Sequence, residues 1–259
     1  MDAQILPDSV NKLTFARADV LEYFQDLDAL FEPEKAIFEK LSPLIRDKKI
    51  LDLGIGGGRT TKYLLQISSD YTGLDYVAEF AEETSRKFPG AKILCGDACN
   101  LKEFEDEKFD FVIFSFNGLD CIAPEDRLKA LREIHRVLKK EGFFMFSSHN
   151  RDYQYFKKLP WRRKIEFNTS FFKFYLYCLY HLPKHFKMKK HEINNDDYAL
   201  VNDPDHRFSL LLYYISIEKQ TQQLIKAGFS DIEAYDTKGN IVESDVLSHW
   251  IYYLARKAS

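Results

Sequence analysis

The stretch ILDLGIGGGRTT, Ile50 to Thr61, sets a short apolar run directly against four glycines in five positions. Such a run reads as a buried strand that ends in a tight loop and opens into a helix. That arrangement brings unpaired N–H groups and the positive end of a helix dipole to one point, ready for an anionic or polar ligand. In open α/β sheets, ligands collect at the carboxyl ends of strands, beside the reversal of strand order.

Outward from this loop, Ile50 to Phe146 alternates short apolar runs with longer amphipathic stretches, the signature of repeated βα units. Strands are predicted at Lys49–Leu53, Tyr71–Asp75, Ala91–Leu94, Phe109–Ser115 and Gly142–Ser148. FDFVIFSF and GFFMFSS are continuously apolar, as expected of strands covered on both faces. Between them, PEDRLKALREIHRVLKKEG places Leu128, Leu131, Ile134 and Leu138 on one stripe of a crossover helix, with Lys139 and Lys140 at its negative end. FEPEKAIFEKLSPLI and RADVLEYFQDL read as helices upstream. Downstream, SIEKQTQQLIKAGFSDIEAYD reads as a helix and a strand, and HWIYYLARK as one more strand. The expected fold class is α/β, a Rossmann-like, doubly wound, seven-stranded and mainly parallel sheet with a mostly helical insertion after the fifth strand. Three segments follow from this: residues 1–149, N-terminal helices and the cofactor-binding half of the core; residues 150–208, the insertion; and residues 209–259, the C-terminal part of the sheet.

The loop's spacing narrows its ligand. Gly54-Ile55-Gly56-Gly57-Gly58-Arg59 satisfies G-x-G-x-G and puts Arg59 where the dinucleotide fingerprint has its third glycine. No G-K-[ST] phosphate loop is present. Asp52, inside the strand, would repel a pyrophosphate but can orient an amino group. With these features, ILDLGIGGGRT resembles the first motif of class I S-adenosylmethionine-dependent methyltransferases. YTGLDY, CGDA, FDFVIFSFNGLD and LREIHRVLKKEGFFMFSSHN extend the likeness over roughly Ile50 to Asn150 in the family's order.

The resemblance implies S-adenosylmethionine as cofactor and assigns residues to it. Gly54, Gly56 and Gly58 let the backbone approach its methionine part, and Asp52 faces the amino group directly or through water. Asp75, 21 residues beyond Gly54, accepts both ribose hydroxyls, a type of bond worth roughly 1.5 to 3 kcal/mol each. Tyr76 stacks beside ribose or adenine, Asp97 accepts from the adenine amine, and the Ala98 backbone meets the ring. Phe114 and Ser115 line the sulfonium side, and Thr60 or Arg59 contacts the carboxylate. Taken singly, Asp75 also reads as a helix cap and Asp97 as a turn residue; their shared order favours the cofactor.

A methyl on a cationic sulfur is transferred largely by holding a nucleophile in line, and a hydroxyl acceptor also needs a base. After the fourth strand the chain has Ser115-Phe116-Asn117-Gly118-Leu119-Asp120 in place of the [DN]PP[YFW] typical of enzymes that methylate nucleobase amines, which argues against a nucleic-acid substrate. The candidate catalytic residues are His149 as base, with Asn117 and Asp120 positioning the acceptor; each also reads as structural. His206 is a further histidine that can descend from the insertion. His181 and His185 have metal-pair spacing, but Pro183 interrupts them and no third ligand is evident, so no metal is expected.

Arg151 to Glu192 carries eleven Lys or Arg against three acids, +8, with twelve aromatics, while the rest of a chain of net charge −3 carries −11. This cap reads as a lid over an anionic or aromatic acceptor, as an interfacial element on anionic lipid, or as a self-packed, solvated subdomain. The expected activity is methyl transfer to an oxygen or nitrogen of a small acceptor, anionic and sugar-, nucleotide- or lipid-linked; a nicotinamide-dependent oxidoreductase or a noncatalytic cofactor-binding partner are the alternatives. Peripheral membrane contact through the cap is left open, as is the oligomeric state. The N-terminus lacks a secretory pattern, no apolar run approaches ~20 residues, and Cys95, Cys99, Cys121 and Cys178 match neither zinc nor disulfide spacing, so a cytoplasmic setting is expected.

Overall fold

The computed structural model describes residues 7–162, 164 and 169–258. Three helices, Pro7–Phe15 (α1), Ala18–Asp26 (α2) and Glu32–Ile45 (α3), precede the strand Ile50–Leu53 (β1). The βα units follow: Thr61–Ile67 (α4), Tyr71–Asp75 (β2), Ala78–Lys87 (α5), Lys92–Cys95 (β3), Phe109–Phe114 (β4), Pro124–Val137 (α6) and Leu138–Asn150 (β5). The insertion holds Thr169–Lys189 (α7), Ile193–Asn194 (β6), Ala199–Val201 (β7) and the single turn Asp205–Phe208 (α8). Leu212–Ile215 (β8), Ile217–Lys226 (α9), Phe229–Tyr235 (β9) and Trp250–Lys257 (β10) complete the chain.

β1 is buried at all four positions because it pairs in parallel with β2 on one side and β4 on the other, under helices on both faces. The parallel run is β3-β2-β1-β4-β5, and β10 and then β9 add antiparallel to β5. This is the expected seven-stranded core. One face packs Leu51, Leu53, Val112, Leu131 and Ile134 together. The other packs Ile37, Leu41, Ile50, Ile113 and Tyr252 under α3.

At its carboxyl end the sheet forks. β4 stops at Phe114, opposite Phe146 of β5. Three residues later β5 acquires a new parallel neighbour, with His149 opposite Tyr214 and Asn150 opposite Ile215 of β8. β7 and β6 continue antiparallel from β8, making ten strands in all. The insertion is therefore tied to the core by main-chain hydrogen bonds and is not the separate cap its composition suggests. The loop after β4 fills the gap between β4 and β8.

Some local expectations shift. α6 ends at Val137 and Leu138 begins β5, so Lys139 and Lys140 lie on the strand. Leu128 is 42% exposed, whereas Leu131, Ile134 and the polar Arg127 are fully buried. α7 runs unbroken through Pro183, since that residue lies on the exposed side, where the carbonyl it frees can be hydrated. Cys95 is exposed because β3 is the sheet's edge. Among the described residues no helix is long and apolar enough to cross a membrane.

The third glycine of the loop has a steric role that the motif does not reveal. A Cβ on Gly57 would sit 2.5 Å from the Phe24 carbonyl oxygen and 2.7 Å from Gln25 Cα, both backbone atoms of α2. Gly57→Ala should thus push α2 off the loop while leaving the sheet intact. Limited proteolysis is expected to cut before Glu32 faster in this variant, with the unfolding midpoint lowered by only a few degrees.

Candidate active site

The carboxyl ends of β1, β2 and β3 each present an aspartate to one cavity, and Asp52, Asp75 and Asp97 all line it. Adjacent strands are about 4.8 Å apart, so these carboxylates span roughly 10 Å across the sheet. The floor is made of Gly54, Ile55, Gly56 and Gly57, and one wall of Tyr76, Ala98, Phe114 and Ser115. Phe15, Phe24 and Leu27, from α1, α2 and the turn after it, close the roof. No pattern in the sequence singled out those three.

Gly54 adopts φ +63°, and a Cβ there would lie 2.7 Å from the Phe114 ring, so the backbone runs bare along the cavity. Gly58 is placed differently from expectation. It does not line the cavity; its open side is taken by Thr84 and Phe88 of α5, where a Cβ would come within 3.0 and 2.7 Å. Gly57 takes the place at the floor.

Asp75 is buried and its two oxygens accept from Gly56 N and Val77 N, each at 2.9 Å. Burial, only partly offset by the Val77 and Gly56 amides, raises its pKa to about 6. Asp75 is not the cap of α5, whose N-cap is Val77; the Gly56 and Val77 amides orient the Asp75 carboxylate at the cavity. Asp52 accepts from Thr60 Oγ1 at 2.7 Å and Tyr71 Oη at 2.9 Å. Burial, opposed by these hydroxyls and by Arg59, raises its pKa to about 7. Asp97 is exposed and accepts from Cys99 N at 2.8 Å.

Arg59 lines the cavity, yet its guanidinium is committed elsewhere. It forms a two-pronged ion pair with the fully buried Glu34 of α3, Nη2 lying 2.7 Å from Oε1, and also donates to Ser115 Oγ at 3.3 Å. The Ser115 hydroxyl itself donates to Glu34. A carboxylate-binding role for Arg59 therefore gives way to a structural one, which leaves Thr60 at that end of the cavity.

A second cavity lies on the insertion side. His149, Tyr153, Tyr155, Phe156, Tyr214 and Trp250 supply its ring-bearing walls; Lys157, Lys158, Arg162 and Lys189 are nearly matched in charge by Glu192, Asp203 and Asp205, and Lys157 is paired with Glu192 at 2.8 Å. Between the two cavities runs the loop after β4. Phe116 and Asn117 sit at φ +52° and +60°, a left-handed pair of non-glycine residues and a store of local strain at the site. Phe116 and Gly118 line the first cavity. Asn117 Nδ2 lies 3.4 Å from Nε2 of His149, which lines the second.

Asp120 does not reach either cavity. It is fully buried, with Oδ1 accepting from Arg127 Nη1 at 2.7 Å and Ser148 Oγ at 2.6 Å. Oδ2 accepts from the His149 amide at 2.6 Å and faces His149 Nδ1 at 2.7 Å. The expected acceptor-positioning role is corrected: the carboxylate takes the ladder position vacated by β4 and orients His149. With Nδ1 as the donor, Nε2 carries the lone pair, which faces Asn117 Nδ2 at 3.4 Å. Burial disfavours the imidazolium, but the Asp120 hydrogen bond and charge, aided by Asp203 and Asp205, outweigh it and raise the His149 pKa. Arg127 had no signal in the sequence, since a charge on an amphipathic helix ordinarily faces water.

Asn117 Oδ1 is buried and has no hydrogen-bond partner, an acceptor beside the His149 lone pair. His206 packs on the roof, with ring centroids 6.0 Å from Phe15 and Phe24, and lines neither cavity. His181 and His185 share α7, but His185 is bonded to Asn202 at 3.0 Å. Among the described residues no group of three or more potential ligands is placed to hold a metal ion.

Comparisons with known proteins agree with this geometry. A methyltransferase domain family matches residues 51–146. An uncharacterized methyltransferase of Oceanobacillus iheyensis is 27% identical, over 46% of this chain and 54% of its own. A demethylmenaquinone methyltransferase of Thermotoga maritima is 32% identical, over 38% of this chain and 42% of its own. The chain thus spans about half the length of the curated relatives it matches. Among solved structures, the 1,6-didemethyltoxoflavin-N1-methyltransferase of Burkholderia thailandensis, with bound 1,6-didemethyltoxoflavin and S-adenosylhomocysteine, superposes with a TM-score of 0.62 at 17% identity, covering 100% of this chain and 94% of that one.

The raised Asp52 pKa carries a stability consequence. An unfolded aspartate titrates near 3.9, so the native chain holds more protons than the unfolded one between about 4 and about 7. Asp52's contribution to stability therefore falls as pH rises through that window and is lowest above it. Both its partners are hydroxyls that can turn, so Asp52→Asn should raise the unfolding midpoint of the ligand-free chain at pH 8 by ~2 to 4 °C. The gain should vanish by pH 5, as thermal unfolding at the two pH values would show.

Proposed function

We propose that the chain, whose residues 51–146 match a methyltransferase domain family, is a class I S-adenosylmethionine-dependent methyltransferase that transfers a methyl group to an oxygen or nitrogen of a small acceptor held in the second cavity. The observation that carries this reading is the Asp120–His149 pair, whose imidazole lines the second cavity. When bound, the cofactor supplies an electrophilic methyl on a cationic sulfur. The residues present fit it: a carboxylate stands at each of three strand ends, and the floor is bare backbone. Asp52 would take the amino group, Asp75 the ribose hydroxyls, and Asp97 with the Ala98 backbone the adenine. The rings of Phe114 and Phe116 would flank the positive sulfur.

On the acceptor side, His149 Nε2, which Asn117 Nδ2 faces at 3.4 Å, is the group that would take a proton once an acceptor displaces that amide, and Asp120 holds the ring and steadies the imidazolium that forms. The aromatic wall of the second cavity favours a planar or apolar acceptor, and its mixed charges, four basic side chains against three acidic ones, suit a polar group on it; sugar-, nucleotide- and lipid-linked molecules are all within that description. Relatives are named for demethylmenaquinone, a planar and apolar quinone without an anionic group, and for malonyl-[acyl-carrier protein], which carries a carboxylate. An oxidoreductase is disfavoured by Asp52 and by the family match.

Isothermal calorimetry with S-adenosylhomocysteine tests the first half. Asp75→Ala should weaken binding at least tenfold, through loss of hydrogen bonds worth roughly 1.5 to 3 kcal/mol each, and Asp231→Ala should not. Affinity should also fall as pH drops from 8 to 5.5, because protonated Asp52 and Asp75 lose their acceptor charge; a flat profile would reject both assignments.

A labelled-methyl screen against metabolite and lipid fractions tests the second half. No transfer despite intact binding would leave only a noncatalytic role. With the acceptor found, His149→Ala should lower kcat by on the order of 10²-fold or more for a hydroxyl. Asp120→Asn should move the rising limb of the pH–rate profile to lower pH, since it removes the charge that raises the His149 pKa.

A further inference from the structure

α7 has two faces. Phe174, Leu182 and His185 line the second cavity, whereas the opposite side bears Phe172, Leu176, Leu179 and Tyr180, which are 50%, 65%, 42% and 81% exposed. These positions recur every three or four residues and form one stripe along the helix. Phe186 belongs to both sets, being 64% exposed and also lining the cavity, so the cavity mouth opens at the end of the stripe. Large apolar side chains gathered this way on a helix otherwise cost solubility and mark a contact surface.

The charge on this helix selects the occupant. α7 contains Lys173, Lys184, Lys187 and Lys189 and no Asp or Glu. The surrounding segment is +8 within a chain of net −3. A second copy would set these lysines against one another, and an apolar protein groove would leave them without counter-charge. An anionic lipid surface meets both features, with aromatic and leucine side chains entering the acyl boundary and lysines at the headgroups. The helix is 21 residues long and amphipathic and would lie in the plane of the interface.

We propose that the outer face of α7 docks on an anionic membrane surface and sets the mouth of the second cavity at the headgroup level. Docking stands independently of methyl transfer. That it delivers a lipid-borne acceptor to His149 rests on the function proposed above.

The test is sedimentation of the full chain with vesicles of phosphatidylcholine alone or with about a third phosphatidylglycerol, at about 0.1 M salt. Binding to the anionic vesicles only, weakened by higher salt, is expected. Leu176→Glu with Tyr180→Glu, and separately Lys173→Gln with Lys187→Gln, should each lower the partition coefficient on the order of tenfold. None of these four residues lines either cavity, so S-adenosylhomocysteine affinity and the unfolding midpoint should be unchanged, which separates failure of docking from failure of the cofactor site. Equal binding to both vesicle types, no binding to either, or partition insensitive to both variants would overturn the proposal. So would a native dimer that Leu176→Glu with Tyr180→Glu converts to a monomer without any vesicle binding.

Discussion

A single buried carboxylate, Glu34, joins the parts of this molecule that surround the first cavity. It is fully buried at the start of α3. Its oxygens accept from the Phe31 amide at 2.8 Å, from Arg59 of the glycine loop, from Ser115 at the end of β4 and from Tyr252 of β10 at 3.2 Å. Four segments far apart in sequence are thereby held at one point. Arg59 also lies 4.5 Å from the Phe31 ring, so its remaining face is covered by an aromatic. A buried ion pair adds little net stability over an apolar substitute, but removing one partner costs about 3 to 5 kcal/mol. Its value here is geometric: the glycine loop can curl only where Glu34 receives Arg59.

Given that frame, the ligand-facing aspartates can be kept in an unfavourable state. Asp52 and Asp75 titrate near 7 and 6 because burial outweighs the hydrogen bonds made to them. Their charge at neutral pH costs the empty protein stability, which a cationic amino group or a pair of hydroxyls would recover. The site is preorganised electrostatically, with the cost carried by the packing of the parallel sheet and of α3 beneath it.

The catalytic proposal depends on a different constraint, the fork in β5. A strand edge must be satisfied, and between Phe146 and His149 neither β4 nor β8 is available to satisfy it. Ser147 Oγ accepts from the Asn117 amide at 2.7 Å, and Asp120 accepts from the His149 amide. Side chains thus take over the ladder, and the same carboxylate that satisfies the backbone also fixes the imidazole. Arg127 and Gln220, 2.7 Å apart, back it from α6 and α9. The requirement to hydrogen-bond every buried amide and the requirement to orient a base are met by one residue.

Most of the α/β order was readable from residue patterns, because apolar runs between glycine and amphipathic stretches are a local property. The Asp52, Gly54 and Asp75 positions were readable too, since strand ends and glycine spacing are local. Tertiary structure decided the rest. Gly57 and Gly58 look alike in sequence, and only the approach of α2 and α5 assigns them different neighbours. Arg59 and Asp120 carry charges suited to ligands, yet burial against Glu34 and Arg127 turns both inward. The roof of Phe15 and Phe24 comes from helices with no motif. By itself the sequence determined the sheet and the kind of cofactor, through short-range periodicity and spacing. Which charges face a ligand and which face one another was decided only by folding, because that depends on contacts between residues tens of positions apart.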